Sequence, residues 1–293
     1  MRQIDGQTRL AAVIGNPIKH SLSPFIHNLA FDESNVNAVY LAWEVTEKNL
    51  VQVLHNIRAL DMLGVNLSMP YKQLAMWYPE ELSDSARLIG AINTIVNRNG
   101  KLTGYNTDGT GFFRSLEVKY DFRPQDKVIS VIGGGGAALA IIVEAAQLKA
   151  KKIQVFARKS SSYAPLEKKL TTVADLTKCE IQLFDLNLPV NLQYAVNFSQ
   201  LLVNASSVGM DGKSSPVSAN LELPKDLLVT DVIYKSLKTP FLQWAEAQGA
   251  RTENGLGMLI YQAAESFKLW TGKQMPVEII EKELMHKLYG HNV

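Results

Sequence analysis

Lys72, Asn93 and Asp108 are a cation, an amide and a carboxylate, and each lies close to the end of a short apolar run. Ser21-Leu22-Ser23-Pro24 adds two hydroxyls at a helix entrance, where free backbone N–H groups favour an anion. Taken singly, each has a plainer role. Ser23 would cap its helix, with Pro24 at the first helical position, and Asp108 would cap the helix that begins near Gly109. A lone lysine after a strand, as in Ser68-Met69-Pro70-Tyr71-Lys72, is ordinarily a solvated surface residue. Their coincidence at strand ends speaks for a cleft in which polar groups converge on a small molecule.

A second constellation begins at Gly133. The string Gly133-Gly134-Gly135-Gly136-Ala137-Ala138 contains G-x-G-x-x-A, preceded by an apolar run and followed by a helical one. In that context the first glycine makes a tight turn and the second lets backbone approach a pyrophosphate. The small third residue lets helix pack on strand. The helix N-terminus then offers N–H groups and a positive dipole end to the anion. The plainer reading is a tight strand–helix turn with no nucleotide. An NAD site usually carries an acid about 20 residues beyond the glycines. Here the sequence is Ala157-Arg158-Lys159-Ser160, and two cations with a hydroxyl suit a 2′-phosphate. NADP is therefore expected, with NAD as the alternative; a solvated basic loop is the plain reading.

The elements that must position these groups follow from hydrophobic period and turn chemistry. Strands are expected at Arg9–Gly15, Ala38–Val45 and Met62–Ser68, with a helix from the Thr46 cap to about Leu60. Asn99-Gly100, between Ile92–Val96 and Leu102–Tyr105, is a two-residue hairpin signal. Further strands are expected at Val128–Ile132, Ile153–Phe156, Ile181–Phe184, Leu201–Val203 and Leu227–Ile233. Helices follow at Met258–Trp270 and from Pro276 to about Leu288, the last with Ile279, Ile280, Leu284 and Leu288 on an apolar face against the first domain. Strand-length runs alternating with helical patterns read as α/β with mostly parallel sheets. The expected organisation is a two-domain α/β chain. Residues 1–107 with 263–293 form an N-terminal α/β substrate domain, and residues 108–262 a Rossmann-type dinucleotide-binding domain, with a cleft between.

Composition sets the outer limits. The 293 residues are 46% hydrophobic and 20% charged, an ordinary globular balance long enough for one large domain or two medium ones. Thirty Lys and Arg against 28 Asp and Glu give a net charge of +2 with no run of one sign, so neither a nucleic-acid nor a membrane partner is expected. Cys179 is the single cysteine, which excludes an internal disulfide and thiolate-rich metal sites. The apolar stretch Ala137–Val143 is too short to span a bilayer. The expectation is a cytoplasmic, metal-free protein.

Several strings together carry a family resemblance. Gly15–Asn28 (GNPIKHSLSPFIHN), Asn66–Lys72 (NLSMPYK), Gly90–Val96 (GAINTIV), Gly104–Phe112 (GYNTDGTGF), the glycine turn and Asn254–Gly272 (NGLGMLIYQAAESFKLWTG) resemble shikimate dehydrogenase, in order and through nearly the whole chain. Ser-Met-Pro, Tyr71 and the Phe-Lys-Leu-Trp-Thr-Gly tail are similar to the quinate/shikimate dehydrogenase branch. The resemblance implies reversible NADPH-dependent reduction of 3-dehydroshikimate to shikimate, in aromatic amino acid biosynthesis. It implies Lys72 and Asp108 as the catalytic pair, with Lys72 as general acid in reduction and base in oxidation. Ser21, Ser23 and the Tyr234 hydroxyl would bind the substrate carboxylate, and Asn93 and Gln262 the ring hydroxyls. Ser68 stands where the family's usual threonine does. The Gly133–Ala138 turn would hold the pyrophosphate, Arg158 with Lys159 and Ser160 the adenosine ribose or its phosphate, and Gly255 and Met258 would lie near the nicotinamide.

Two departures bear on the cofactor. The family's NADP-type members usually carry Asn-Arg-Thr where this chain has Ala157-Arg158-Lys159, and the quinate branch often has Asp at the position of Ser160. The alternatives are a quinate/shikimate dehydrogenase using NAD(H) and, from another class, a regulatory nucleotide-binding module without chemistry. The module would lack the Lys72/Asp108 or Ser21/Ser23 pair. The sequence leaves the oligomeric state open, a homodimer among the options.

Overall fold

Short apolar runs that end in turn residues become strands here, and the polar residues that follow them are left along one sheet edge. The structure is a computed structural model that describes residues 4–290. The chain divides into two compact units, Met1–Gly111 with Ile260–Val293, and Phe112–Leu259.

The first unit runs β1 (Arg9–Gly15), α1 (Ser23–Glu33), β2 (Ala38–Glu44), α2 (Glu47–Ala59), β3 (Gly64–Leu67), α3 (Tyr71–Leu74), β4 (Glu81–Leu82), α4 (Asp84–Ile89), β5 (Thr94–Arg98) and β6 (Lys101–Tyr105). Its sheet has the order β2-β1-β3-β5-β6-β4. β1 is parallel to β2 and β3, whereas β5 is antiparallel to both β3 and β6. With β4 also parallel to β6, the sheet is mostly parallel as expected, and the antiparallel pairings both run through β5. One cause is local: Asn99 and Gly100 both take positive φ, 53° and 87°, and this tight turn returns β6 against β5.

The mixed direction has a functional result. Ile14 pairs with Leu67, Asn66 with Thr94, and Thr94 with Tyr105. The ends of β1, β3 and β6 and the start of β5 thus fall at the same sheet edge. Beneath it lies a core of Ala12, Ile14, Leu54, Ile57, Val65 and Ile95, all fully buried. Burying each large aliphatic side chain contributes about 1.5–3 kcal/mol, which holds the edge groups on a rigid platform.

The second unit is entered through α5 (Asp108–Tyr120) and runs β7 (Val128–Ile132), α6 (Gly136–Gln147), β8 (Lys152–Ala157), α7 (Tyr163–Thr177), β9 (Glu180–Asp185), α8 (Pro189–Val196), β10 (Leu201–Asn204), β11 (Leu228–Asp231), α9 (Pro240–Ala247) and β12 (Arg251–Glu253). Its sheet is parallel throughout, in the order β12-β11-β10-β7-β8-β9. Read from β9, this is the doubly wound order that reverses at the first strand, β7, where such folds bind dinucleotides. Helix α10 (Leu256–Thr271) carries the chain back and α11 (Val277–Tyr289) follows. Ile280 and Leu284 of α11 are fully buried, Leu288 is partly so, and Ile279 is 41% exposed, so the apolar face is narrower than expected. Among the described residues no helix is long and apolar enough to cross a membrane.

Candidate active site

The loop after β3 turns at once into α3, and this short helix presents Lys72. Tyr71 is 1% exposed and donates its hydroxyl to the Val45 carbonyl, so the residue beside Lys72 is pinned in the core. Lys72 Nζ donates to Asp108 Oδ2 at 2.6 Å. The Lys72 side chain keeps 31% exposure and that of Asp108 only 11%, so the lysine stays within reach of a ligand while its counter-ion is held. The other Asp108 oxygen, Oδ1, accepts from Asn93 Nδ2 at 2.8 Å. Both carboxylate oxygens are thus committed to side chains. Capping is not what this carboxylate does, and Asn106 Oδ1 instead accepts from the Asp108 backbone N–H at 3.1 Å.

Asn93 precedes β5, and its amide is fixed on both sides. Its oxygen accepts from Thr107 N–H and from Thr94 Oγ1, both at 2.9 Å, and its nitrogen donates to Thr107 Oγ1 at 3.0 Å as well as to Asp108. Thr107 Oγ1 also donates to the Gln262 carbonyl at 3.0 Å, which ties α10 to this edge. At Gly111 a Cβ would lie 2.3 Å from the Gln262 nitrogen, so glycine is what allows Gln262 to sit against the start of α5. The structure therefore brings Lys72, Asp108, Asn93 and Gln262 together.

The serine loop departs from expectation in one detail. α1 begins at Ser23, with Leu22 at the N-cap position and Pro24 second. Ser23 does not cap the helix; Ser21 Oγ accepts from Ser23 N–H at 3.2 Å. The Tyr40 hydroxyl is fully buried, which pushes it well above the usual phenol range, so it stays protonated. Ser68 follows β3, its N–H donating to the Ile14 carbonyl at 2.8 Å, beside the end of β1 from which the serine loop leaves.

In the second unit the glycine turn leaves β7 beside the end of β8, where Gly133 N–H donates to the Phe156 carbonyl at 2.8 Å. Gly133 has φ 121°, and a Cβ there would meet the Ala205 carbonyl oxygen at 2.8 Å. Gly135 is the N-cap of α6, exposed, with nothing within 4 Å of the point a Cβ would occupy. Ala138 is fully buried. A tight first turn, an open second position and a packed small third one are what a pyrophosphate cradle requires. Arg158, Lys159 and Ser160 are exposed directly after β8, neighbours of that turn.

Tyr234 follows β11 in the same unit and is half-buried, which pushes its hydroxyl up. The segment before it is held by buried Asp231. Its carboxylate accepts from Asn204 at 3.1 Å, Thr239 at 2.8 Å and Ile233 N–H at 3.1 Å, and burial still raises it above the usual range. Gly255 N–H donates to the Ile233 carbonyl at 3.1 Å, and Met258 lies one helical turn beyond Gly255 on α10.

Sequence reasoning passed over Thr94, Thr107, Asn66 and Ser266, which surround Asn93. Asn66 and Thr94 stand inside apolar strand runs, a polar residue where the pattern calls for an apolar one, and that was the available signal.

A doubly wound parallel unit with a glycine turn, carried on one chain with an α/β unit that presents a lysine–aspartate pair, defines an oxidoreductase of the dinucleotide-fold class. The model of the shikimate dehydrogenase substrate binding domain matches residues 13–95, and that of the shikimate 5′-dehydrogenase C-terminal domain matches residues 255–285. The shikimate dehydrogenase (NADP(+)) of Lactococcus lactis subsp. cremoris strain MG1363 is 60% identical over 282 residues, 96% of this chain and 98% of that protein. The enzyme of the same name from Streptococcus sanguinis strain SK36 is 54% identical over 278 residues, 95% of this chain and 96% of that protein. The crystal structure of shikimate 5-dehydrogenase from Listeria monocytogenes, in complex with shikimate and NAD, is 42% identical with a TM-score of 0.93, covering 97% of this chain and 99% of that one. The chain belongs to the shikimate dehydrogenase family.

Proposed function

We propose that this chain catalyses the reversible NADPH-dependent reduction of 3-dehydroshikimate to shikimate. The observation that carries the reading is the Lys72–Asp108–Asn93 constellation, with both carboxylate oxygens engaged and the lysine left accessible. The glycine turn and Arg158 support NADP as cofactor, held by the α6 N-terminus and by the basic segment after β8. When bound, the nicotinamide supplies or accepts the hydride.

The chain's own residues then supply position and a proton. Lys72 Nζ donates a proton to the carbonyl oxygen in reduction and accepts one from the ring hydroxyl in oxidation. Asp108 Oδ2 keeps Nζ from swinging away, and Asn93 keeps Asp108 from turning. Ser21, Ser23 and Tyr234 would take the substrate carboxylate, Ser68, Asn93 and Gln262 its hydroxyls, and Gly255 and Met258 would border the nicotinamide. A small-molecule partner and the cytoplasm suit a chain with a single, buried thiol.

The test is absorbance at 340 nm with shikimate or quinate, each with NADP⁺ or NAD⁺. The expected signal is strongest with shikimate and NADP⁺, and no signal in any pairing overturns the reading. In the same assay Lys72→Ala is expected to lose at least about a hundredfold in kcat, with shikimate affinity less affected. Turnover within about tenfold of wild type, roughly 1.4 kcal/mol, would remove Lys72 from the proton path. A second reading, use of NAD, is favoured by the Listeria relative's complex with that cofactor; the NAD⁺ arms decide it.

A further inference from the structure

Behind Asn93 lies a set of buried polar side chains that the reaction does not touch. Asn66 is 7% exposed, and Thr94, Ser266 and Tyr40 are fully buried. Thr94 Oγ1 and Ser266 Oγ are 2.8 Å apart. The Asn66 amide nitrogen donates to both, at 3.0 and 3.1 Å, and Tyr40 Oη donates to Asn66 Oδ1 at 2.6 Å. With the Thr94 proton used elsewhere, Ser266 Oγ donates its one proton to Thr94 Oγ1, and the Gln262 carbonyl at 3.1 Å, the one Thr107 uses, is its alternative acceptor. Removing this many polar groups from water costs about 1–3 kcal/mol for each one left unpaired, so the cluster persists only because its members satisfy one another.

The bonds have a definite sense. Asn66 donates to Thr94 Oγ1, so the Thr94 proton is free to point at Asn93 Oδ1, which accepts it at 2.9 Å. With its oxygen claimed by Thr94 and by Thr107 N–H, the Asn93 amide must turn its nitrogen toward Asp108. The opposite orientation would set the Asn93 oxygen against the Asp108 carboxylate. An asparagine amide does not relay protons by hydroxyl-like hopping, so Asn66 and Asn93 make this an orienting network rather than a proton wire.

We propose that Thr94 and Ser266 are positioning residues for the Lys72–Asp108 pair, acting through the orientation of the Asn93 amide. The inference rests on the proposed role of that pair. Ser266 comes from α10 and Thr94 from β5, 172 residues away, so a helix from the far end of the chain sets the geometry of the acid–base pair.

The test compares the wild type with Thr94→Val, Thr94→Ser and Ser266→Ala, using shikimate and NADP⁺. Thr94→Val keeps the shape and removes the hydroxyl. It is expected to lower kcat about tenfold, since small displacements of reacting groups carry rate losses of this order or larger. The KM for NADP⁺ is expected to stay within about twofold, since none of these side chains belongs to the glycine turn or to the basic segment after β8. The solvent deuterium isotope effect on kcat rises as proton transfer becomes slower, and Thr94→Ser returns both to wild-type values. An isotope effect is a ratio and is blind to the fraction of folded enzyme, so a purely structural role would not move it. Ser266→Ala, a mild change within a helix, is expected to move kcat and the isotope effect in the same direction by a smaller factor. Unchanged isotope effects in both variants, with kcat within twofold, overturn the proposal while leaving the Lys72 reading intact. An inactive wild type would overturn that reading itself.

Discussion

Arg158 stands one residue beyond the end of β8, exposed, where the second strand of a dinucleotide fold ordinarily offers an acid to the ribose. If it grips a 2′-phosphate, its effect belongs to one cofactor only. Arg158→Ala is therefore expected to raise the KM for NADP⁺ about tenfold to a hundredfold, the span of a lost hydrogen bond between charged groups, and to leave that for NAD⁺ within about twofold. Steady-state titration of both cofactors checks this, and an equal rise in the two would deny Arg158 the role. At this scale the sequence was most legible where a residue's type already implies its use. Lys72 and Asp108 come shortly after strand-length runs and Asn93 stands at the head of one, and the fold brings them within hydrogen-bonding distance. Thr94 and Ser266 were not legible. A threonine in a strand and a serine in a helix are ordinary, and nothing in local pattern says that residues 172 apart share a hydrogen bond.

The strand–turn–helix from β7 to α6 shows how one element divides its labour among glycines. Gly133 is there for backbone shape and close approach, Gly135 for open space. The two substitutions should separate accordingly. Gly133→Ala is expected to cost about 1–3 kcal/mol of stability, from positive φ and the contact with the Ala205 carbonyl. Gly135→Ala should leave stability nearly unchanged and weaken NADP⁺ binding, because its methyl enters the cradle. Urea midpoints and cofactor calorimetry on both variants check the pair; the reverse pattern would refute the division. This element was readable because apolar run, glycines and helical period agree. β4, of two residues, β12, of three largely polar ones, and the short helices α3 and α4 were not, since such short pieces owe their conformation to neighbours rather than to period. Strand direction in the first sheet was legible only at Asn99-Gly100. The antiparallel pairing of β3 with β5, on which the gathering of the site depends, is a tertiary outcome.

Stability of the folded molecule is tied to pH through His27. Its ring is fully buried, stacked on Tyr40 at 4.4 Å, and neither ring nitrogen has a hydrogen-bond partner. Burial pushes it from 6.5 down to about 3. The native state therefore refuses a proton that the unfolded chain accepts below pH 6.5. Above that value both states are neutral and His27 contributes no pH dependence. Below it, stability is lost by about 1.4 kcal/mol per pH unit from this residue, continuing until the native value is reached. Urea midpoints at pH 7, 6 and 5 are expected to fall more steeply for the wild type than for His27→Phe. Equal slopes would mean that the buried ring is not kept neutral.

Residues 260–293 complete a sheet-bearing unit whose other residues lie before position 112. During synthesis on the ribosome, the whole parallel unit emerges before Ser266 and the Trp270 indole, which donates to the Ile95 carbonyl at 3.1 Å. Until then Asn66 and Thr94 wait without a partner that they bury in the finished protein. The first unit is begun first and completed last, because its final segment is made only after the whole of the second unit. The buried cluster behind Asn93 is therefore closed only once the chain has doubled back on its own beginning.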